Sequence, residues 1–248
     1  MESVKTALRV LELVAEAGEI GVSELARRAG EPKTTIQRNL LTLHEAGWIR
    51  SVDEGARRKW TLSAKLVVLA ARVEAFPHLR EVALPVMEAL RHQTQETIHL
   101  TLREGGQVVL IERLDSPQAL RTFRALGSRA PLHATANGKA VLARVSDAER
   151  ERYLAQSLKV WTPHTLTDPQ QLAKQLLDIC AQGYAFSDGE LDVNVRAVAS
   201  AICPRGGAPV AALSISCPAT RLPDDHVRRY GALVKKAARQ IEEQLDGE

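Results

Sequence analysis

The sequence predicts an α+β protein in two parts: an N-terminal winged helix-turn-helix joined by a linker helix to a C-terminal antiparallel sheet flanked by helices. Three observations predict it. The N-terminal stretch carries apolar residues at helical spacing, in runs that stop at glycine. Two short strand-like runs follow, separated by "DEG" and rich in arginine and lysine on the return. The rest of the chain mixes amphipathic helices with alternating strands, and its strands come as hairpins rather than as strand–helix–strand units.

The first helix begins after Ser3 as N-cap and presents Val4, Leu8, Leu11 and Ala15 as its apolar stripe, with Gly18 closing it. "GVSELARRAG" restarts with Ser23 as N-cap and stops at Gly30. Glu31 and Pro32 open the next helix, proline being tolerated in a first turn. Its apolar residues Ile36, Leu40 and Leu43 fall in one narrow sector at 3.6 residues per turn, opposite Thr34 and Arg38, with Thr35, Gln37 and Thr42 on the flanks. Leu41 lies near this polar face and is expected to pack under the hairpin. Two short helices joined by so tight a turn make a helix-turn-helix. A polar face of this kind can enter a DNA major groove. Arg38 can meet guanine O6 and N7, Gln37 can pair with adenine, and the threonines can touch methyls or phosphates. Lys33 sits in the first turn, where a helix already favours phosphate.

Strands are expected at 48–52 and 59–62, with Asp53, Glu54 and Gly55 in the turn. Arg57, Arg58 and Lys59 then lie at the tip or on the returning strand, as a wing holding a phosphate backbone requires. Charge supports this. Arg27 to Lys59 holds eight bases and four acids, a larger surplus than the net +3 of the whole 248-residue chain.

Leu66, Leu69 and Val73 continue a linker helix, expected over 63–75, which Phe76-Pro77 interrupts. The expected division is therefore 1–62, 63–75 and 76–248. In the last part, "HLREVALPVMEALRHQTQE" is an amphipathic helix with Val82, Val86 and Leu90 on one face. "TIHLTLREGGQVVLIERLD" is a hairpin turning at Gly105-Gly106. "LRTFRA" reads as a third strand, and "GYAFS", "RAVASAIC" and "APVAALSIS" as later ones. Helices are expected at 137–144, 147–155, 168–181 and 223–245.

Several classes are excluded or disfavoured. No run approaches the length of a membrane span, and the acid-containing N-terminus does not predict a signal peptide. Cys180, Cys203 and Cys217 are odd in number and widely spaced, which suits a reducing cytoplasm. The chain has no GxGxxG or GxxxxGK[ST], so no nucleotide cofactor is expected, and no HxxxH or HExxH that would mark a metal site. A thiol enzyme would need Cys203 or Cys217 beside His133 or His99, and nothing in the sequence juxtaposes them. A third reading is a scaffold whose helix-turn-helix docks on another protein. Salt-dependent DNA binding separates it from a DNA reader.

The whole chain resembles the isocitrate lyase regulator (IclR) family of bacterial transcription factors. "SVKTALRVLELVAEAG", "VSELARRAGEPKTTIQRNLLTLHEAGWI", "APLHATANGKAVLA" and "GYAFSDGELDVNVRAVASAI" with "APVAALSISCPATRL" carry the resemblance, in the family's order. It implies a winged helix-turn-helix, an effector domain of GAF-like fold, and homodimers, often paired as tetramers, on palindromic double-stranded operators. It also implies DNA contacts from Ser23, Lys33, Thr34, Thr35, Gln37, Arg38, Thr42, Arg57, Arg58 and Lys59. An effector, commonly a small organic or aromatic acid, is implied at Phe123, Ala136, Asn137, Ser187, Asp188, Val195, Ala197, Ser214 and Ser216. Asn39 stands where leucine is usual, Asn137 where a small or apolar residue is usual, and Ala197 where many members have cysteine. Ser214 and Ser216, two apart on one strand, face the same side. Lys139 is expected on the surface, because its neighbours Ala140, Leu142 and Ala143 already supply an apolar side.

Overall fold

The computed structural model describes residues 2–54, 57–70 and 76–247. The chain divides into two compact units, residues 1–77 and 78–248. Among the described residues, no helix is long and apolar enough to cross a membrane.

In the first unit, α1 (Glu2–Ala17), α2 (Val22–Ala29) and α3 (Lys33–Glu45) enclose a core of Val10, Leu13, Val14, Leu25, Ile36 and Leu40. The buried face of α1 is not the expected one. Val4 and Leu8 are exposed, and Val10, Leu13 and Val14 are buried. Helix α1 carries two apolar stripes roughly 130° apart at 100° per residue, and only one can meet α2 and α3. The start of α1 at Glu2 places Ser3 inside the helix rather than at its cap. Ser23 is likewise not a cap: Gly21 holds that position and Ser23 is the second helical residue. Gly30 ends α2 as expected, in the left-handed conformation with φ 69°. Pro32 then caps α3 from outside, rather than entering its first turn.

The hairpin pairs β2 (Ile49–Glu54) with β3 (Arg57–Leu62), in register from Ile49 opposite Leu62 to Glu54 opposite Arg57. Gly55 of the expected turn lies outside the described residues, as does the side chain of Arg57. A two-residue strand, β1 (Ile20–Gly21), adds to β3 and was not expected. Helix α4 (Lys65–Ala70) covers part of the expected linker helix, and 71–75 lie outside the described residues.

Helix α5 (Phe76–Thr94), which enters the second unit at His78, leads into the expected hairpin of β4 (Thr97–Glu104) and β5 (Gln107–Leu114). The segment "LRTFRA" is not a strand. The strand that pairs with β5 is β6 (Arg129–Pro131), and 120–125 form a loop before it. Helices α6 (Ala136–Leu142), α7 (Asp147–Leu154) and α8 (Pro169–Gln182) follow. Strands β7 (Ala185–Asp188), β8 (Val195–Ile202) and β9 (Ala211–Pro218) and helix α9 (Asp224–Asp246) complete the unit. Asp168 caps α8, its Oδ1 accepting from the backbone N–H groups of Gln170 and Gln171. The sheet is antiparallel throughout, in the order β6-β5-β4-β9-β8-β7.

The period-2 alternation of the strands divides the sheet's two faces. One face presents Ile98, Leu100, Val198, Leu213 and Ile215 to α5 and α9, where Met87, Leu90, Val234 and Ile241 meet them. The other face is made of small and polar residues. Ala185, Ala199 and Ala212 let α6 and α8 approach, with Ala140, Val141, Leu172 and Leu176 packed there. Along the rest of that face run His99, Thr101, Ser187, Ser214 and Ser216, which leaves the sheet open to a cavity.

Candidate nucleic-acid interface and ligand cavity

Helix α3 buries Ile36, Leu40 and Leu43, and its opposite side is exposed. Lys33, Thr34, Gln37, Arg38 and Thr42 lie on that side, and Thr35 is half-buried. Two details differ from expectation. Leu41 is 51% exposed instead of packed under the hairpin. Asn39 is buried with the apolar residues, its Nδ2 donating to the Thr35 carbonyl at 3.0 Å, so the position usual for leucine still faces the core. The Thr42 hydroxyl donates back to the Arg38 carbonyl at 3.0 Å.

The basic cluster is not uniformly available. Arg27 and Arg28 both bind Glu24, at 2.5 and 2.8 Å. Their hydrogen bonds hold the Glu24 carboxyl down to about 2. Lys59 lies 3.8 Å from Glu19, and Arg58 stands 6.0 Å over the Trp60 ring. No described carboxylate pairs with Lys33 or Arg38, so these two cations on α3 face solvent. Ser23 is exposed at the start of α2.

The cavity in the second unit measures about 510 Å³. That falls within the ~300–1,000 Å³ of ordinary small-molecule sites. Its floor takes Ser187, Ala197, Ser214 and Ser216 from the sheet, with Val195 at the edge. Ala136 and Asn137 enter from the start of α6, and Phe123 from the loop before β6. Asp188 does not line it. Its two oxygens are held by Arg196 Nε and Nη2 at 2.6 Å each, and Arg196 also reaches Asp224, which fixes the carboxylate away from the cavity.

Sequence reasoning missed His99, Thr101, Thr122, Arg121 and Arg124, which also line the space. Alternation could have found the first two, since both lie opposite Ile98 and Leu100 on β4. The His99 imidazole is pushed down to about 4 by burial first, and then by Arg113 and Arg124, with Asp115 opposing weakly. It is therefore neutral near pH 7. Below the ordinary 6.5, the unfolded chain takes up a proton that folded His99 refuses. Stability contributed by keeping it neutral is present above 6.5 and is lost as pH falls towards 4. A His99→Phe variant is expected to lose roughly 3 kcal/mol less than the native chain over that window, read by denaturant unfolding at each pH.

Lys139 is fully buried, contrary to its expected surface position. Its Nζ is bound to the Glu190 carboxylate, and Thr162 and Thr165 hydroxyls donate to the carbonyl of Glu190. The pair ties α6 to the segment after β7; Asn137 of the one and Leu191 of the other line the cavity. Cys203 and Cys217 are buried, and burial pushes both thiols above their ordinary value. Both ring nitrogens of His133 are occupied, by the Tyr153 hydroxyl and the Lys159 carbonyl at 3.0 Å each. No activated thiol therefore arises from these groups. Among the described residues, no cluster of three metal-ligating side chains occurs.

A solvent-facing polar helix in a winged helix-turn-helix, carried with a separate sheet domain that holds a ligand-sized cavity, defines a class: DNA-binding regulators with a C-terminal sensory domain. The chain belongs to the IclR family of bacterial transcriptional regulators, matching the IclR helix-turn-helix domain over residues 3–53 and the IclR C-terminal domain over 74–243. It is 32% identical to the acetate operon repressor of Salmonella typhimurium, over 97% of this chain and 89% of that protein. The crystal structure of Thermotoga maritima IclR superposes with a TM-score of 0.79 at 28% identity, covering 99% of each chain. An IclR homologue from Microbacterium hydrocarbonoxydans complexed with 4-hydroxybenzoate gives a TM-score of 0.76 at 28% identity, over 99% of this chain and all of that one.

Proposed function

We propose that this regulator reads a palindromic operator with the exposed face of α3, as a cytoplasmic homodimer that can pair into a dimer of dimers, and that an organic acid in the cavity modulates binding. The protein acts by binding, not by catalysis. The observation that carries the reading is the division of α3 into a buried apolar side and a solvent-facing side of Lys33, Thr34, Gln37 and Arg38. Arg38 and Gln37 have the donor and acceptor sets for guanine and adenine edges. Arg58 and Lys59 stand on the wing strand for phosphate contact, and in a two-fold dimer the recognition helices lie about 34 Å apart on the duplex. The 4-hydroxybenzoate of the Microbacterium homologue supports an acid as the effector class.

The test is fluorescence anisotropy on duplex DNA from the region upstream of the protein's own coding sequence, across a salt series. Binding is expected to weaken steeply, by roughly a thousandfold or more between 50 and 200 mM salt if each dimer neutralises six or more phosphates. Affinity that ignores salt would point to the rival scaffold reading.

A further inference from the structure

We propose that Arg221 is the positioning residue of the cavity mouth: it clamps the 120–124 segment so that Arg121 and Arg124 meet the acid group of the ligand. This rests on the effector reading above and names the residues that give the site its charge selectivity. Arg121 and Arg124 both line the cavity, and no described carboxylate pairs with either. Among the described residues, one carboxylate lines the same space, that of Asp192, whose Oδ1 accepts from the Asn194 N–H at 3.0 Å. Two unpaired guanidiniums against one acid leave the mouth positive. A guanidinium holds a carboxylate by charge-assisted bonds that a neutral ligand cannot match.

No ladder holds these arginines in place. Strand β5 ends at Leu114 and β6 begins at Arg129. Among the described residues, 117–124 make no backbone–backbone hydrogen bond. Three side chains hold the segment instead. Arg221 Nη1 donates to the Leu120 carbonyl at 2.6 Å, Thr122 Oγ1 to the Ser216 carbonyl at 3.4 Å, and Arg113 Nη1 to the Arg124 carbonyl. Arg221 is itself fixed. Its Nε and Nη2 donate to the two oxygens of buried Glu96 at 2.6 Å each. Its neighbours Ala219 and Thr220 line the cavity too, so one guanidinium ties two stretches of the rim to the residue that precedes β4. Lysine, a point charge on a flexible stem, cannot reproduce a planar fork that engages three oxygens.

The experiment uses the full chain and two clamp variants, each checked for folding by its melting curve. Arg221→Lys keeps a cation beside Glu96, and the double variant Glu96→Gln with Arg221→Gln leaves no buried charge unpaired. Trypsin cleavage after Arg121 and Arg124 reads the segment without any ligand, and is expected to run roughly tenfold faster once the bond to the Leu120 carbonyl is lost. Calorimetry reads charge selectivity with matched probes: benzoate with benzamide, 4-hydroxybenzoate with 4-hydroxybenzamide, and butyrate with butyramide. At least one acid is expected to bind the native protein about tenfold more tightly than its amide. That margin is expected to shrink to about threefold or less in the clamp variants, and equally when Arg121 and Arg124 are both replaced by glutamine. A general loosening of the fold would weaken acid and amide alike and leave their ratio unchanged. Unchanged cleavage, equal binding of acid and amide by the native protein, or a margin that survives in the folded variants overturns the proposal and leaves the effector reading standing. A native protein that binds none of the acids overturns the effector reading, and the proposal with it.

Discussion

Replacing Lys139 by alanine is expected to destabilise the second unit by about 3–5 kcal/mol, among the largest effects any single substitution in this chain would produce. The Lys139 ammonium is fully buried on the Glu190 carboxylate. Burial pulls its proton affinity below the ordinary lysine value more than Glu190 pushes it back up. Without Lys139, the carboxylate is left in the interior with no cation. Removing both charges is a different matter. A Lys139→Met and Glu190→Leu double variant is expected to regain most of the loss, because two desolvated charges are exchanged for apolar volume. Denaturant unfolding followed by circular dichroism measures both. A double variant no more stable than Lys139→Ala would show that the ion pair is not the source of the loss.

Gly138→Ala is the second large effect, expected to cost about 3 kcal/mol. A Cβ at Gly138 would stand 2.4 Å from the Leu132 Cα, 2.5 Å from its carbonyl oxygen and 2.7 Å from its carbonyl carbon. These are backbone atoms and cannot swing aside. The start of α6 must shift, and Asn137 with it, so ligand affinity is expected to fall together with stability. Gly106→Ala is the control. There a Cβ meets only the Tyr153 ring edge at 3.4 Å, and a change within about 0.5 kcal/mol is expected. Equal melting temperatures for the two variants would contradict the account of how closely α6 packs.

Features set by local chemistry were legible in the sequence. Gly30 ends α2 because its φ of 69° suits glycine, and Gly105-Gly106 turn the β4–β5 hairpin. The two-sided character of α3 was legible from periodicity alone. What escaped depended on distant partners. Lys139 looked like a surface residue because its partner Glu190 is 51 positions away. The buried face of α1 was misjudged because two stripes were available and only the docking of α2 and α3 chooses between them. Strand β1 is two residues long and exists only through its pairing with β3. The loop "LRTFRA" has strand-like composition, but β6 takes the edge of β5 and leaves it over the cavity. Asp188 matched the family's pocket by position, but it follows cavity-lining Ser187 on β7, so alternation turns it to the other face, where Arg196 holds it.

The central claim is that the exposed side of α3 reads DNA sequence, and Arg38 tests it most directly. Arg38 is exposed and forms no ion pair with any described side chain, so Arg38→Ala leaves the core of the first unit intact. Competition anisotropy would compare operator with random duplex for the native protein and the variant, alongside melting curves. The account predicts unchanged melting and a loss of about 1–3 kcal/mol in operator preference, concentrated at one base pair of each half-site. An operator preference that Arg38→Ala leaves untouched, with the protein still folded, would contradict it.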